Sequence, residues 1–175
     1  MKIERHGAKF KGVFEIEILD KKDGKVISKS QTENIITDEG LDAILDIMLH
    51  GSTQITTWYC ALFESDTTPD GAETYAVPVY TESTAYDEAT RPEYNEAASS
   101  SQSVTNSANK AVFTASATKT WYGAALVGGG TAATTKGDAA GGGTLLCCGK
   151  FATAQPVIDG NVANLTYTIS AADAG

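Results

Sequence analysis

Two histidines, three cysteines and twenty-two carboxylates are the groups in this chain best suited to chemistry. His6 and His50 stand far apart, and neither belongs to an HxxxH pattern. Cys60, Cys147 and Cys148 form no CxxC, so a zinc site is not expected. Their odd number and lack of framework spacing argue against a disulfide scaffold. Cys147 and Cys148 are adjacent and would point to opposite faces of a strand. Cys60 lies in an apolar run and reads as a small core residue.

Serine and threonine are plentiful, but no G-x-S-x-G elbow is present. A glycosidase-like pair of carboxylates requires two acids set across a cleft, and abundance of acids does not identify such a pair. Asp66 to Asp70 lacks the alternating ligands of an EF-hand. Asp38, Asp42 and Asp46 recur every four residues, either as a cation site or as a solvated helix face, and the solvated face is the simpler reading. The glycine-rich stretch from Gly128 to Gly143, GGGTAATTKGDAAGGG, has no GKS, GKT or GxGxxG and no helix after it. It therefore reads as a mobile surface loop and not as a phosphate cradle. Catalytic residues, cofactor sites and metal sites are all expected to be absent.

The elements that would hold these residues are mostly strands. Phe10 to Asp20 alternates, with Phe14, Ile16 and Ile18 on the apolar parity. Asp23-Gly24 makes a turn, and Lys25 to Thr32 reads as the return strand of a hairpin. Thr37 or Asp38 is the expected N-cap of a helix over about residues 38–50, with acidic residues in its first turn. Leu41, Ile44, Leu45, Met48 and Leu49 fall on one apolar stripe, Asp38, Asp42 and Asp46 are read on the opposite face, and Gly51 stops the helix. Ile55 to Glu64 is a strand, expected to be central. Further strands are expected at Lys110–Ser116, Lys119–Val127, Leu145–Phe151, Pro156–Ile158 and Val162–Ser170, with Gly123 marking a bulge or a close backbone approach.

About eight or nine short strands, Gly/Pro-rich turns and a single helix predict a mainly β fold. The expected architecture is an antiparallel β-sandwich or jelly-roll-like barrel with one inserted α-helix. One domain over residues 1–175 is expected, with an N-terminal hairpin arm (1–32) and long loops at 65–108 and 128–143.

The formal net charge is −9, with a pI near 4.6, so nucleic acid is not an expected partner. No apolar run approaches the length of a membrane span, and none at the start resembles a secretory signal. Lys2, Arg5, Lys9 and Lys11 concentrate positive charge at the N-terminal strand. They would face an acidic neighbouring subunit or form a solvated strand face that discourages edge pairing. Tyr75, Tyr80, Tyr86 and Tyr94 surround Arg91 in an irregular acidic segment. Either this group is contact chemistry on an exposed loop, or the tyrosines pack back on their own sheet.

Asn34-Ile-Ile-Thr-Asp-Glu-Gly-Leu41, then an amphipathic helix, then Thr57-Trp-Tyr-Cys-Ala-Leu-Phe63 resembles small structural proteins from tailed-bacteriophage virion gene clusters. In that family an N-x-I-T-x-x-G-L stretch precedes a helix and a TTWYVGLF-like strand. Thr81 to Tyr94 (TESTAYDEATRPEY) is similar to the family's acidic Tyr/Arg-Pro loop, and Gly143 to Ile169 to its closing strands. The glycine-rich loop and the paired cysteines have no counterpart in the resemblance.

The resemblance implies a non-enzymatic virion component made in the host cytoplasm. The capsid decoration or cement kind fits best, binding the outer shell at junctions between major capsid subunits. The implied partners are the major capsid protein or other virion proteins, and further copies of the chain in a homo-oligomer. A tail, neck or head-fibre component is the alternative, with host-receptor or carbohydrate contacts through Trp58, Trp121 and the tyrosines.

Overall fold

Alternating side chains fix the first strand, β1 (Ala8–Leu19), whose Phe14, Ile16 and Ile18 are all buried as their parity requires. The computed structural model describes residues 7–173, so Lys2 and Arg5 lie outside the described residues. Gly24 turns the chain at φ 67°, a left-handed position where glycine carries no Cβ penalty, and β2 (Val26–Glu33) returns antiparallel. This hairpin is not a projecting arm. On its other edge β1 pairs with β9 (Val162–Asp173), in register from Ala8↔Asp173 to Leu19↔Val162. The sheet runs β2-β1-β9, and β5 (Ser103–Thr105) and β6 (Ala111–Thr114) share the far edge of β9.

The second sheet has the order β3 (Ile35–Ile36), β8 (Thr144–Val157), β7 (Lys119–Gly128), β4 (Trp58–Phe63). The two antiparallel sheets pack together as a β-sandwich with one short helix. Phe14, Ile16, Ile18, Leu165 and Tyr167 of the first sheet meet Leu62, Leu126 and Cys147 of the second. The two segments expected at Leu145–Phe151 and Pro156–Ile158 join, as far as Val157, into the single long strand β8.

The strand expected to be central, β4, lies at the edge of its ladder. It is nevertheless buried from Cys60 to Phe63, for two reasons. The outer face of the second sheet is covered by Tyr75 and Tyr80, which pack with Ala61, Phe63, Val127 and Cys148. The free edge of β4 is taken by the long irregular segment. Ser83 N–H donates to the Leu62 carbonyl, Cys60 N–H to Pro92, and Tyr94 N–H to Trp58, each at 2.8 Å. The same segment crosses to the first sheet, where Asp87 N–H donates to the Thr114 carbonyl at 2.8 Å and Tyr86 pairs with Ala115. Residues 82–94 thus lace the two sheets together and leave no bare edge on that side of β4. Gly123 is a close approach: a Cβ there would strike the Phe63 ring and the Gly149 carbonyl.

The helix α1 (Asp38–Leu45) starts at Thr37, as expected, and continues through a wide π-type turn (Asp46–His50) to Gly51 at φ 77°. An amphipathic helix ordinarily turns its apolar stripe to the core, and this one does not. Gly40 is buried against the backbone of Leu146, and Ala43, Ile44 and Ile47, on the same side, are half-buried. Of the stripe, only Ile44 reaches the core. Leu41, Leu45, Met48 and Leu49 are exposed, Met48 by 71% and Leu49 by 80%. Asp38, Asp42 and Asp46 are exposed beside them and not on the opposite face.

Candidate functional site

Arg91, one of two arginines in the chain, is 2% exposed. A buried guanidinium must satisfy its donors, and this one satisfies all five. Nε donates to Glu82 Oε1 at 2.8 Å and Nη2 to Glu82 Oε2 at 2.5 Å. Nη1 donates to Tyr75 Oη at 3.1 Å and to the Ala133 carbonyl at 3.0 Å. Nη2 also donates to the Asp138 carbonyl at 2.8 Å. Burial works against the charge, but the Glu82 hydrogen bonds and charge outweigh it and hold the guanidinium above its ordinary pKa.

Tyr75 Oη donates to Asp138 Oδ2 at 2.8 Å, and this bond, with the Gly141 N–H, holds the Asp138 carboxyl below its usual value. The glycine-rich loop is therefore tied down and not a free surface loop. A second tie comes from Lys136, whose Nζ donates to the carbonyls of Tyr86 (2.7 Å) and Glu88 (2.9 Å) and lies 4.4 Å from the Tyr86 ring centre.

Of the two readings of the tyrosine–arginine group, these contacts match the one in which the tyrosines pack back on their own sheets, so the interface candidates Tyr75, Tyr80, Tyr86, Arg91 and Tyr94 are buried. Tyr75, Tyr80, Tyr86 and Tyr94 are each at most 7% exposed. Tyr80 stacks on Phe63 at 4.7 Å, Tyr86 sits edge-on to Phe113 at 5.1 Å, and Tyr94 Oη donates to the Tyr167 carbonyl at 3.2 Å. The physical reason is tertiary: the tyrosines cover sheet faces and edges that would otherwise be bare. Trp121 is also fully buried, its indole N–H on Ser83 Oγ at 3.1 Å, so it cannot meet a receptor or glycan. Trp58 is half-buried against the core. Of the N-terminal basic candidates within the described residues, Lys9 is exposed, and Lys11 is exposed and ion-paired with Glu33 at 2.5 Å.

The Asn34–Leu41 stretch acts as a docking device for α1. Thr37 Oγ1 accepts the Gly40 N–H at 2.9 Å and donates to the Leu145 carbonyl. Glu39 Oε2 accepts the N–H groups of Leu145 (2.7 Å) and Tyr75 (2.9 Å), joining helix, β8 and the covering segment. Gly40 lets the helix backbone rest on Leu146. Composition alone did not single out Glu39, Gly40, Glu82, Lys136 or Asp138. The available signal was a lone arginine among Glu82, Asp87, Glu88 and Glu93, which points to an internal ion pair.

The thiols are inert by position. Cys60 and Cys147 flank Leu126 in one row across the sheet on the core side, and Cys148 packs on the other face with Tyr75 and Tyr80. Burial pushes the Cys60 and Cys148 thiols up to about 12 and raises that of Cys147 as well. Among the described residues, no three His, Cys, Asp or Glu side chains gather as a metal site, and no helix is long and apolar enough to cross a membrane.

On the outward side of α1 and its π-type turn, four large apolar side chains lie exposed beside three carboxylates. In comparisons with known proteins, no family model matches the chain, and no curated protein matches it.

Proposed function

We propose that this chain is a non-enzymatic structural protein of a tailed-bacteriophage virion, of the capsid decoration kind. It attaches to the outer shell at junctions between major capsid subunits and stiffens it. Of the segments that carry the sequence resemblance, Thr57–Phe63 and Thr81–Tyr94 lie side by side, and Asn34–Leu41 is tied to the opposite edge of the same sheet. Thr37 and Glu39 bond to β8, β8 pairs with β7 and β7 with β4, and the 82–94 segment lies along the edge of β4.

The observation that carries the reading is the saturated Arg91 clamp. The longest irregular segments of the chain are pinned to each other by the Arg91 bonds and to both sheets by backbone hydrogen bonds, giving a stiff body. A cement needs such stiffness, because a soft body would absorb strain between neighbouring capsid subunits instead of transmitting it. The acidic surface keeps free copies apart before assembly. Attachment then works by many modest contacts repeated by shell symmetry.

Co-sedimentation tests the reading: the purified chain is mixed with bare shells of the major capsid protein and pelleted. Stoichiometric pelleting with shells, and none with capsid monomers, is the expected result. A virion map with a few copies at the tail or neck would replace decoration with the fibre or neck alternative.

A further inference from the structure

We infer that the outward side of α1 is the attachment surface, and that its partner is a protein groove with an apolar floor and a lysine- or arginine-bearing rim. This deepens, and rests on, the shell-binding reading.

An amphipathic helix in a sandwich ordinarily turns its apolar stripe inward. Here Gly40 and the Leu146 backbone set the rotation, and Leu41, Leu45, Met48 and Leu49 remain outside, 38%, 54%, 71% and 80% exposed. Leaving such a ridge in water works against solubility unless something covers it. Methionine and leucine on one helix face suit insertion into a groove.

The charge pattern selects the occupant. Asp38, Asp42 and Asp46 each stand three residues before a member of the ridge (Leu41, Leu45 and Leu49), a spacing that makes helical neighbours. None of the three has an ion-pair partner among the described residues, and the only basic residue of the helical segment is His50 at its end. A second copy of the ridge is therefore a poor partner. An antiparallel helix pair would bring both acidic rows to the same edge, and a parallel pair would offer them no cation. An anionic lipid surface is excluded by the same repulsion. A groove rimmed by lysine or arginine meets both requirements: it buries the ridge and pairs the free carboxylates.

The test uses the full chain and bare shells at several salt concentrations. Leu45→Asp/Met48→Asp changes only exposed positions, and circular dichroism and thermal midpoint serve as folding controls. This variant is expected to bind at least ~10-fold more weakly than the native chain, as truncated anchor residues do. Asp42→Asn/Asp46→Asn is expected to bind severalfold more weakly at low salt and to lose much of the salt dependence. Ile27→Asp, on the exposed strand β2, is the control expected to bind normally.

If the native chain does not pellet with shells, the functional reading fails and this inference fails with it. If the native chain pellets and both helix variants pellet equally well, the attachment surface lies elsewhere and only this inference falls. Unchanged salt dependence in the Asp42/Asp46 variant overturns the basic rim. A solution dimer abolished by Leu45→Asp/Met48→Asp would make the occupant a second copy and overturn the inference as well.

Discussion

The guanidinium of Arg91 grips the carboxylate of Glu82 at two points, with hydrogen bonds of 2.8 and 2.5 Å, and the arginine side chain is 2% exposed and the glutamate 11%. Such a pair has little to do with attracting partners, because no donor on the arginine is left over. Its work is to keep the covering segment and the glycine-rich loop in one arrangement.

Arg91→Leu should destabilise the fold by about 3–5 kcal/mol, because Glu82 is left nearly buried without a counter-charge. Arg91→Lys should recover only part of this, since an ammonium has three donors where five are used. Arg91→Leu combined with Glu82→Leu should cost less than the sum of the single changes. Urea denaturation measures all of these. An Arg91→Leu loss below about 0.5 kcal/mol, the range of ordinary surface changes, would show that the clamp does not matter.

Gly40→Ala separates propensity from docking. Alanine should favour the isolated helix by up to about 1 kcal/mol over glycine. Its Cβ, however, would land on the Leu146 carbonyl, which is backbone and cannot swing aside. The expected net result is a loss of about 1–3 kcal/mol, the range for overpacking. A rise in the thermal midpoint would refute the described seating of α1.

The three thiols should be silent toward an aromatic disulfide reagent at neutral pH in the native state, and all three should react in guanidinium. Their raised pKa values and burial both act in this direction. Rapid native labelling of Cys60 or Cys147 would mean that the sandwich opens far more readily than its packing implies.

Glu17 accepts from Lys29 at 2.5 Å and Lys110 at 2.7 Å on the outer face of the first sheet. The hydrogen bond from Lys110, then that from Lys29, lowers its pKa below 4.5. A carboxylate with a depressed folded-state pKa stabilises the fold above its unfolded value and loses that contribution as pH falls through the folded value. Glu17→Gln should therefore cost up to about 1 kcal/mol at pH 7. The difference from the native chain should shrink as pH falls below 4.5, the unfolded value. A gap that stays constant down to pH 2 would assign the effect to packing and not to charge.

Much of the fold was legible because it depends on short-range pattern. The parity of Phe14, Ile16 and Ile18, the Asp23-Gly24 turn, the Thr37 cap and the Gly51 stop each need only neighbours a few residues away. The candidate site was harder to read because its partners are distant in sequence. Arg91 is satisfied by Ala133 and Asp138, more than forty positions away, and the rotation of α1 is decided by Leu146. Whether Tyr75 or Tyr86 faces water depends on a sheet face that no local window contains. The apolar periodicity of Leu41–Leu49 announced the helix, but it set the aspartates on the opposite face, whereas both rows lie outside and Gly40, Ala43, Ile44 and Ile47 turn inward.

The first strand of the described chain waits longest for its partner. All twelve residues of β1 pair with β9, so the five-stranded sheet cannot close while β9 is still inside the ribosome. Folding of this half is governed by long-range closure, which places it among the slower small domains and exposes Phe14, Ile16 and Ile18 to chaperones in the interval.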